Sequence, residues 1–117
     1  ENYIEIWGDG KARREFMYSG DFANAIHYFL NKLEDLPEVM NIGCGIDYKI
    51  EDYYSIASEI IGYKGKFIYN LNKPVGMKRK FVCIDKQRYL GWMPKVDIKE
   101  GIKLSYNYYK DWVKNGS

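Results

Sequence analysis

Trp7-Gly8-Asp9-Gly10-Lys11-Ala12-Arg13-Arg14-Glu15-Phe16-Met17-Tyr18-Ser19-Gly20-Asp21 places an aromatic plate, two glycines and two adjacent arginines ahead of a helix-start signal. The planar guanidinium of arginine offers paired donors to two oxygens at once, which suits it to gripping a diphosphate. Trp7, seven residues before Arg14, supplies a stacking face or wall for a base or sugar. Glycines at 8 and 10 let the backbone turn tightly between these groups. As chemistry, the stretch reads as an anion grip beside an aromatic surface.

Reading outward, residues 14 to 18 suit a short strand, and Asp21, with Ser19 as the alternative, suits the N-cap of the next segment. There Phe22, Ile26, Phe29, Leu30 and Leu33 recur at helical spacing, which predicts an amphipathic helix over 22–34 ended by Leu36-Pro37. His27 lies one position off that stripe and has no Asp or Glu three or four residues away. It therefore reads as a packed or surface residue rather than an acid or base. Glu38-Val39-Met40-Asn41-Ile42 predicts a short strand running into Gly43-Cys44-Gly45. A dinucleotide-binding turn needs a third glycine and a helix opening directly from it. Both are missing here, so the segment reads as a tight strand-to-helix turn.

The apolar residues from Ile50 to Ile61 form a wide helical face, with Gly62 placed to end the helix. Lys66-Phe67-Ile68-Tyr69 predicts a strand. The loop Asn70–Lys80 carries Lys73, Lys78, Arg79 and Lys80 and is punctuated by Pro74 and Gly76. It admits two readings, a solvated charged loop or a second anion clamp. Asp85 reads as the cap of a short helix through Leu90, closed by Gly91, and Trp92 as core. Asp97 and Glu100 have capping-box spacing and open a last helix to about Val113, with Ile102, Tyr106, Tyr109 and Val113 along one face.

Length and composition set the limits. At 117 residues the chain is one domain, residues 1–117. A hydrophobic content of 46% argues for a folded core. Eighteen basic residues against 16 acidic ones weigh against a wholesale nucleic-acid or membrane surface. Cys44 and Cys83 lack metal or redox spacing and read as small thiols in a reducing, cytoplasmic setting. No stretch approaches the length of a membrane span, and no signal peptide opens the chain. Glu1-Asn2-Tyr3-Ile4-Glu5-Ile6 begins without cap, turn or initiator methionine, so the chain is expected to start mid-protein.

The whole pattern resembles the C-terminal part of the GDP-L-fucose synthase family, a branch of the extended short-chain dehydrogenase/reductases. The resemblance rests on Trp7-Gly8-Asp9-Gly10 with Arg14-Glu15-Phe16, Asp21-Phe22-Ala23-Asn24-Ala25, Asn41-Ile42-Gly43-Cys44-Gly45 and Ile61-Gly62-Tyr63-Lys64-Gly65. It continues through Lys73-Pro74-x-Gly76, Arg79-Lys80 and Leu90-Gly91-Trp92, in one order along essentially the whole chain. It implies an α/β fold, the substrate-binding domain of such an enzyme without the N-terminal Rossmann half. Trp7, Arg14 and Lys80 match substrate-binding positions, with Arg14 at the diphosphate. Lys80 tips the 70–80 loop towards a second clamp.

The implied activity is NADP-dependent epimerisation and reduction of a GDP-sugar. Two positions depart from the family pattern: Val75 stands where an acidic residue usually touches substrate, and Gly20 where bacterial members often carry an aspartate. A UDP- or dTDP-sugar epimerase or dehydratase, or an enzyme of a GDP-heptose, is the alternative. The family's catalytic residues and NADP-binding turn lie upstream of the matched segment, so this chain is expected to hold no catalytic residue, metal or cofactor alone. Tyr106 and Lys110 share the family's catalytic Tyr/Lys spacing by accident. The resemblance also implies apolar surface normally covered by the other half, hence a homo-oligomer or swapped assembly.

Overall fold

A computed structural model describes residues 2–116; Glu1, in the opening segment discussed above, lies outside them. Strand β1 (Tyr3–Trp7) runs parallel to β4 (Lys66–Asn70) in the register Tyr3 to Lys66 through Trp7 to Asn70. Gly8 N extends the pair by donating to Asn70 O at 2.8 Å. A parallel pair needs a long crossover, and two helices are carried in this one. A second, antiparallel pair joins β2 (Arg13–Arg14) to β3 (Tyr48–Lys49). Arg13 also bridges to Arg79, its N donating to Lys78 O at 2.8 Å and its O accepting from Lys80 N at 3.2 Å. The strand expected over 14–18 is thus two residues long and begins one earlier, because only Arg13 and Arg14 find partners.

Helix α1 (Ser19–Leu30) starts ahead of the expected 22 and stops short of 34, with a separate 3-10 turn at Leu33–Asp35. Neither Asp21 nor Ser19 caps it, since Tyr18 holds the cap position without a side-chain bond. The Asp21 carboxylate turns inward instead and accepts from Lys95 N at 3.2 Å and Val96 N at 2.9 Å. Helix α2 (Ile50–Ile61) has the expected limits and ends at Gly62, whose φ of +80° is open to glycine at little cost. Helix α3 (Asp85–Tyr89) takes Ile84 as its cap, with Asp85 already inside. Helix α4 (Ile98–Lys114) is capped by Asp97, whose carboxylate accepts from Glu100 N at 2.8 Å.

The apolar centre is small. Ala25, Phe29 and Trp92 form it, flanked by Met17, Tyr28, Leu36, Met40, Ile42 and Leu90. Trp92 keeps its indole N–H satisfied by Asn24 Oδ1 at 2.9 Å, as a buried indole requires. Helix α4 packs on α2, with Ile102 and Tyr106 of its stripe half-buried, whereas Tyr109 and Val113 are exposed.

The strand expected at Glu38–Ile42 is not among the described strands. A strand needs a backbone neighbour, and among the described residues none pairs with this segment. The Gly43 that follows it is held by the Gln87 amide, which accepts from Gly43 N at 2.8 Å and donates to Gly43 O at 2.9 Å. The radius of gyration is 17.2 Å, well above the ~13 Å of a compact chain this long. Phe22, Ile26, Leu30 and Leu33 lie exposed along one flank. No helix among the described residues is long and apolar enough to cross a membrane.

Candidate functional site

The glycine turn after β1 folds back onto the start of α2, where Glu51 N donates to Gly10 O at 3.0 Å and Ile50 N to Ala12 O at 2.9 Å. Gly8 has φ +83°, and a Cβ there would overlap Val75 Cγ1. The turn therefore admits the 70–80 loop in close contact. Between them opens a cavity of about 400 Å³ lined by Trp7, Arg14, Ile50, Tyr54, Pro74 and Val75, among others.

The two arginines have different work. Arg13 Nε donates to Asp47 Oδ1 at 3.1 Å and its Nη2 to Asp47 O at 2.9 Å, outside the cavity lining. Arg14 lines the cavity: its Nη1 donates to Arg13 O at 2.7 Å and its Nη2 to Val75 O at 3.2 Å. Tyr53 Oη fixes the same residue's backbone by donating to Arg14 O at 2.8 Å. With five N–H donors in a fixed fork, Arg14 still has Nε and one N–H on each Nη for an anion.

Trp7, 55% exposed, also lines the cavity, and Lys73 Nζ sits 5.2 Å from its ring centroid, within cation–π range. Lys80 joins the site through its backbone only, on Arg13 O, and its exposed side chain is not among the lining residues. The geometry thus brings Trp7 and Arg14 together and leaves Lys80 at the margin.

The Gly43–Gly45 turn is already filled by an anion of the chain itself. Cys44 N and Gly45 N both donate to Glu15 Oε1, the latter at 3.2 Å, and Val82 N donates to Glu15 Oε2 at 3.3 Å. A dinucleotide's phosphates find no free amides there, so this turn does not fit NADP. Cys44 is held as a thiol: burial, then the charges of Glu15 and Asp21, push its pKa up to about 11. On α4, Lys110 Nζ lies 4.7 Å over the Tyr106 ring, away from the cavity. No group of three or more His, Cys, Asp or Glu among the described residues could hold a metal.

Sequence reasoning missed Asp47, the half-buried Glu15 and the buried Gln87. Asp47 is 4% exposed and takes two bonds from Arg79, Nε to Oδ2 at 2.7 Å and Nη2 to Oδ1 at 3.2 Å, besides those from Arg13. The hydrogen bond from Arg79, followed by that from Arg13, holds its carboxyl below the ordinary carboxylate value. Its basic partners stand 34 and 32 residues away, so the sequence carries no local signal of this.

Among known proteins, residues 1–43 match the NAD dependent epimerase/dehydratase family. The chain is 46% identical over 106 residues to the GDP-L-colitose synthase of Yersinia pseudotuberculosis, covering 91% of this chain and 34% of the relative. It is 45% identical to the GDP-L-fucose synthase of Azorhizobium caulinodans, with the same shares. A solved GDP-mannoheptose C4 reductase from Campylobacter jejuni with NADP bound is 38% identical at a TM-score of 0.79, covering 92% of this chain and 35% of that one. The chain spans about a third of the length of the curated relatives it matches.

Proposed function

We propose that this chain, a homologue of the nucleotide-sugar enzymes in the NAD dependent epimerase/dehydratase family, is the substrate-binding part of a GDP-sugar epimerase/reductase. Relatives named for GDP-L-colitose and GDP-L-fucose synthases support that class. The observation that carries the reading is Arg14, fixed by two carbonyls at the rim of a cavity walled by Trp7, with three N–H donors left over. Arg14 holds the diphosphate bidentately, and Trp7 walls the sugar or base. Lys80, at the margin of the cavity, is a further contact in this reading only if its exposed side chain turns from the loop towards the ligand.

The 70–80 loop presents Val75 to the cavity, an apolar wall that accepts no hydrogen bond from a hydroxyl. A sugar that is deoxygenated or otherwise apolar at that point suits it. NADP belongs to the longer protein in this reading, supported by the NADP of the Campylobacter reductase, and would supply the hydride. The chain by itself binds and does not catalyse. The exposed stripe Phe22, Ile26, Leu30 and Leu33 supports self-association or cover by the remainder of such an enzyme. Free Cys44 and Cys83 support a reducing, cytoplasmic setting.

Calorimetric titration of the chain with GDP, UDP and ADP at matched, moderate salt tests the reading. GDP-selective binding that disappears in Arg14→Ala is the expected result. Binding that prefers UDP moves the chain to the UDP-sugar epimerases. Equal, steeply salt-dependent binding of all three overturns a specific site. Sedimentation at the same concentrations gives the assembly state, and a clean monomer would overturn self-association.

A further inference from the structure

We propose that Asp47 is a positioning residue for the diphosphate grip, acting through Arg79 to fasten the 70–80 loop across the cavity. The inference rests on the reading of Arg14 above and names the device that orients it. Asp47 lies in the turn before β3, outside the cavity, and touches none of the groups that would meet ligand. Its carboxylate is almost wholly buried and takes three side-chain hydrogen bonds, one from Arg13 and two from Arg79.

A buried carboxylate is strongly disfavoured without its cationic partners. Arg13 satisfies only part of it, so seating Arg79 on Asp47 is what completes the pairing. Arg79 brings the end of the loop with it. Lys78 O and Lys80 N, on either side, close the backbone ladder onto Arg13. Four residues earlier Val75 O receives Arg14 Nη2. Between them Gly76, at φ +70°, lies close enough that a Cβ would stand 3.5 Å from Arg14 Nη2. The path from Asp47 to Arg14 therefore runs across the Arg79 ion pair, along the loop backbone to Val75, and across the bond from Arg14 Nη2 to Val75 O.

The same carboxylate has a second effect on the site. It engages the Arg13 guanidinium outside the cavity, so that of two adjacent arginines only one faces ligand. A diphosphate then meets one preset fork rather than two mobile ones, which lowers the ordering cost of binding.

The test compares Asp47→Asn, Arg79→Ala, Arg79→Lys and Arg14→Ala in the full chain, with GDP as the probe. Two readouts are taken: GDP affinity by calorimetry and hydrogen exchange at the Arg13 and Lys80 amides. Arg79→Ala and Asp47→Asn are expected to speed exchange at those two amides, leave the α2 amides unchanged, and weaken GDP binding about tenfold, the scale of one charge-assisted hydrogen bond. Arg79→Lys, which keeps the charge, recovers part of the affinity. If Asp47→Asn fails to fold, Arg79→Ala carries the test, because the Arg79 side chain is 57% exposed.

GDP affinity unchanged in a folded Arg79→Ala, while Arg14→Ala loses binding, overturns the positioning role alone. Unchanged exchange at Arg13 and Lys80 also overturns it. If Arg14→Ala binds GDP like the wild type, or the wild type does not bind GDP, the underlying reading of Arg14 fails and takes this inference with it.

Discussion

Arg14 Nη2 donates to the carbonyl oxygen of Val75 at 3.2 Å across 61 residues of sequence. This bond ties the anion grip to the loop that walls the same cavity. A guanidinium that spends two donors on fixed carbonyls arrives at the ligand already oriented, so fewer rotamers are lost on binding.

The neighbouring arginines should therefore separate stability from binding. Arg13→Ala leaves Asp47 with one guanidinium in place of two and is expected to lower the melting temperature more than Arg14→Ala does. Arg14→Ala should melt near the wild type and lose GDP affinity by roughly 10- to 100-fold, as for a lost bidentate contact. Melting curves and titrations of the two variants decide it, and the reverse ranking would exchange their roles.

Gly8→Ala should be costly for two separable reasons. Its φ of +83° is unfavourable to any side chain, and its Cβ would overlap Val75 Cγ1. Together these are expected to cost about 2–4 kcal/mol in urea unfolding. Adding Val75→Ala should return the steric part and leave the backbone part, so the double variant recovers only partly. Full recovery would show that the backbone conformation at Gly8 costs nothing.

The parts of the fold legible in sequence are those in which the signal is local. The α2 stripe with Gly62 after it, and Asp97 three residues before Glu100, each carry their own start or stop within one turn of helix. What escaped reading is polar side chains answering distant backbone. Asp21 looked like a helix cap, yet it bonds amides 74 and 75 residues away. Glu38–Ile42 reads as a strand, but no strand forms there, and the Gly43 that follows is held by a glutamine side chain 44 residues on. Of the residues the sequence singles out, Trp7 and Arg14 line the cavity and Lys80 does not. The Asp47–Arg79 pair beside the cavity depends on a contact 32 residues apart that no periodicity encodes.

Gln87 offers a direct measure of such a contact. It is fully buried and makes both hydrogen bonds to Gly43. Gln87→Leu keeps the bulk and orphans one buried N–H and one buried C=O. A loss of about 2–4 kcal/mol in urea unfolding is expected from two such groups. Gln87→Glu still accepts from Gly43 N but cannot donate when ionised, so it should lose stability with rising pH where Gln87→Leu does not.

Asp47 gives the acid limb of the stability profile its shape. Its folded-state pKa lies below the ordinary 3.8, chiefly through the hydrogen bond from Arg79. The contribution is therefore present in full well above 3.8 and is lost as pH falls through the lower folded value. Relative to Asp47→Asn, the wild-type chain should lose stability more steeply as pH falls from about 3.8 towards that lower folded value. Parallel acid-unfolding curves for the two would remove Asp47 as the source.

Cys44 sets the opposite slope at high pH. Burial first, then the nearby Glu15 and Asp21 carboxylates, raise its pKa from 9.0 to about 11. The folded chain thus holds this proton where the unfolded chain has released it. Stability from Cys44 is complete below pH 9.0 and declines as pH rises towards about 11. The same shift predicts selective chemistry, since the thiolate is the nucleophile. At pH 9, iodoacetamide should label exposed Cys83 first and reach Cys44 at a comparable rate only after denaturation. The Cys44 thiol also donates to Phe16 O at 3.2 Å, so Cys44→Ser, with its shorter bond to oxygen, is expected to keep the fold and flatten the alkaline decline. Fast labelling of Cys44 in the folded chain would contradict both the shift and the burial that causes it.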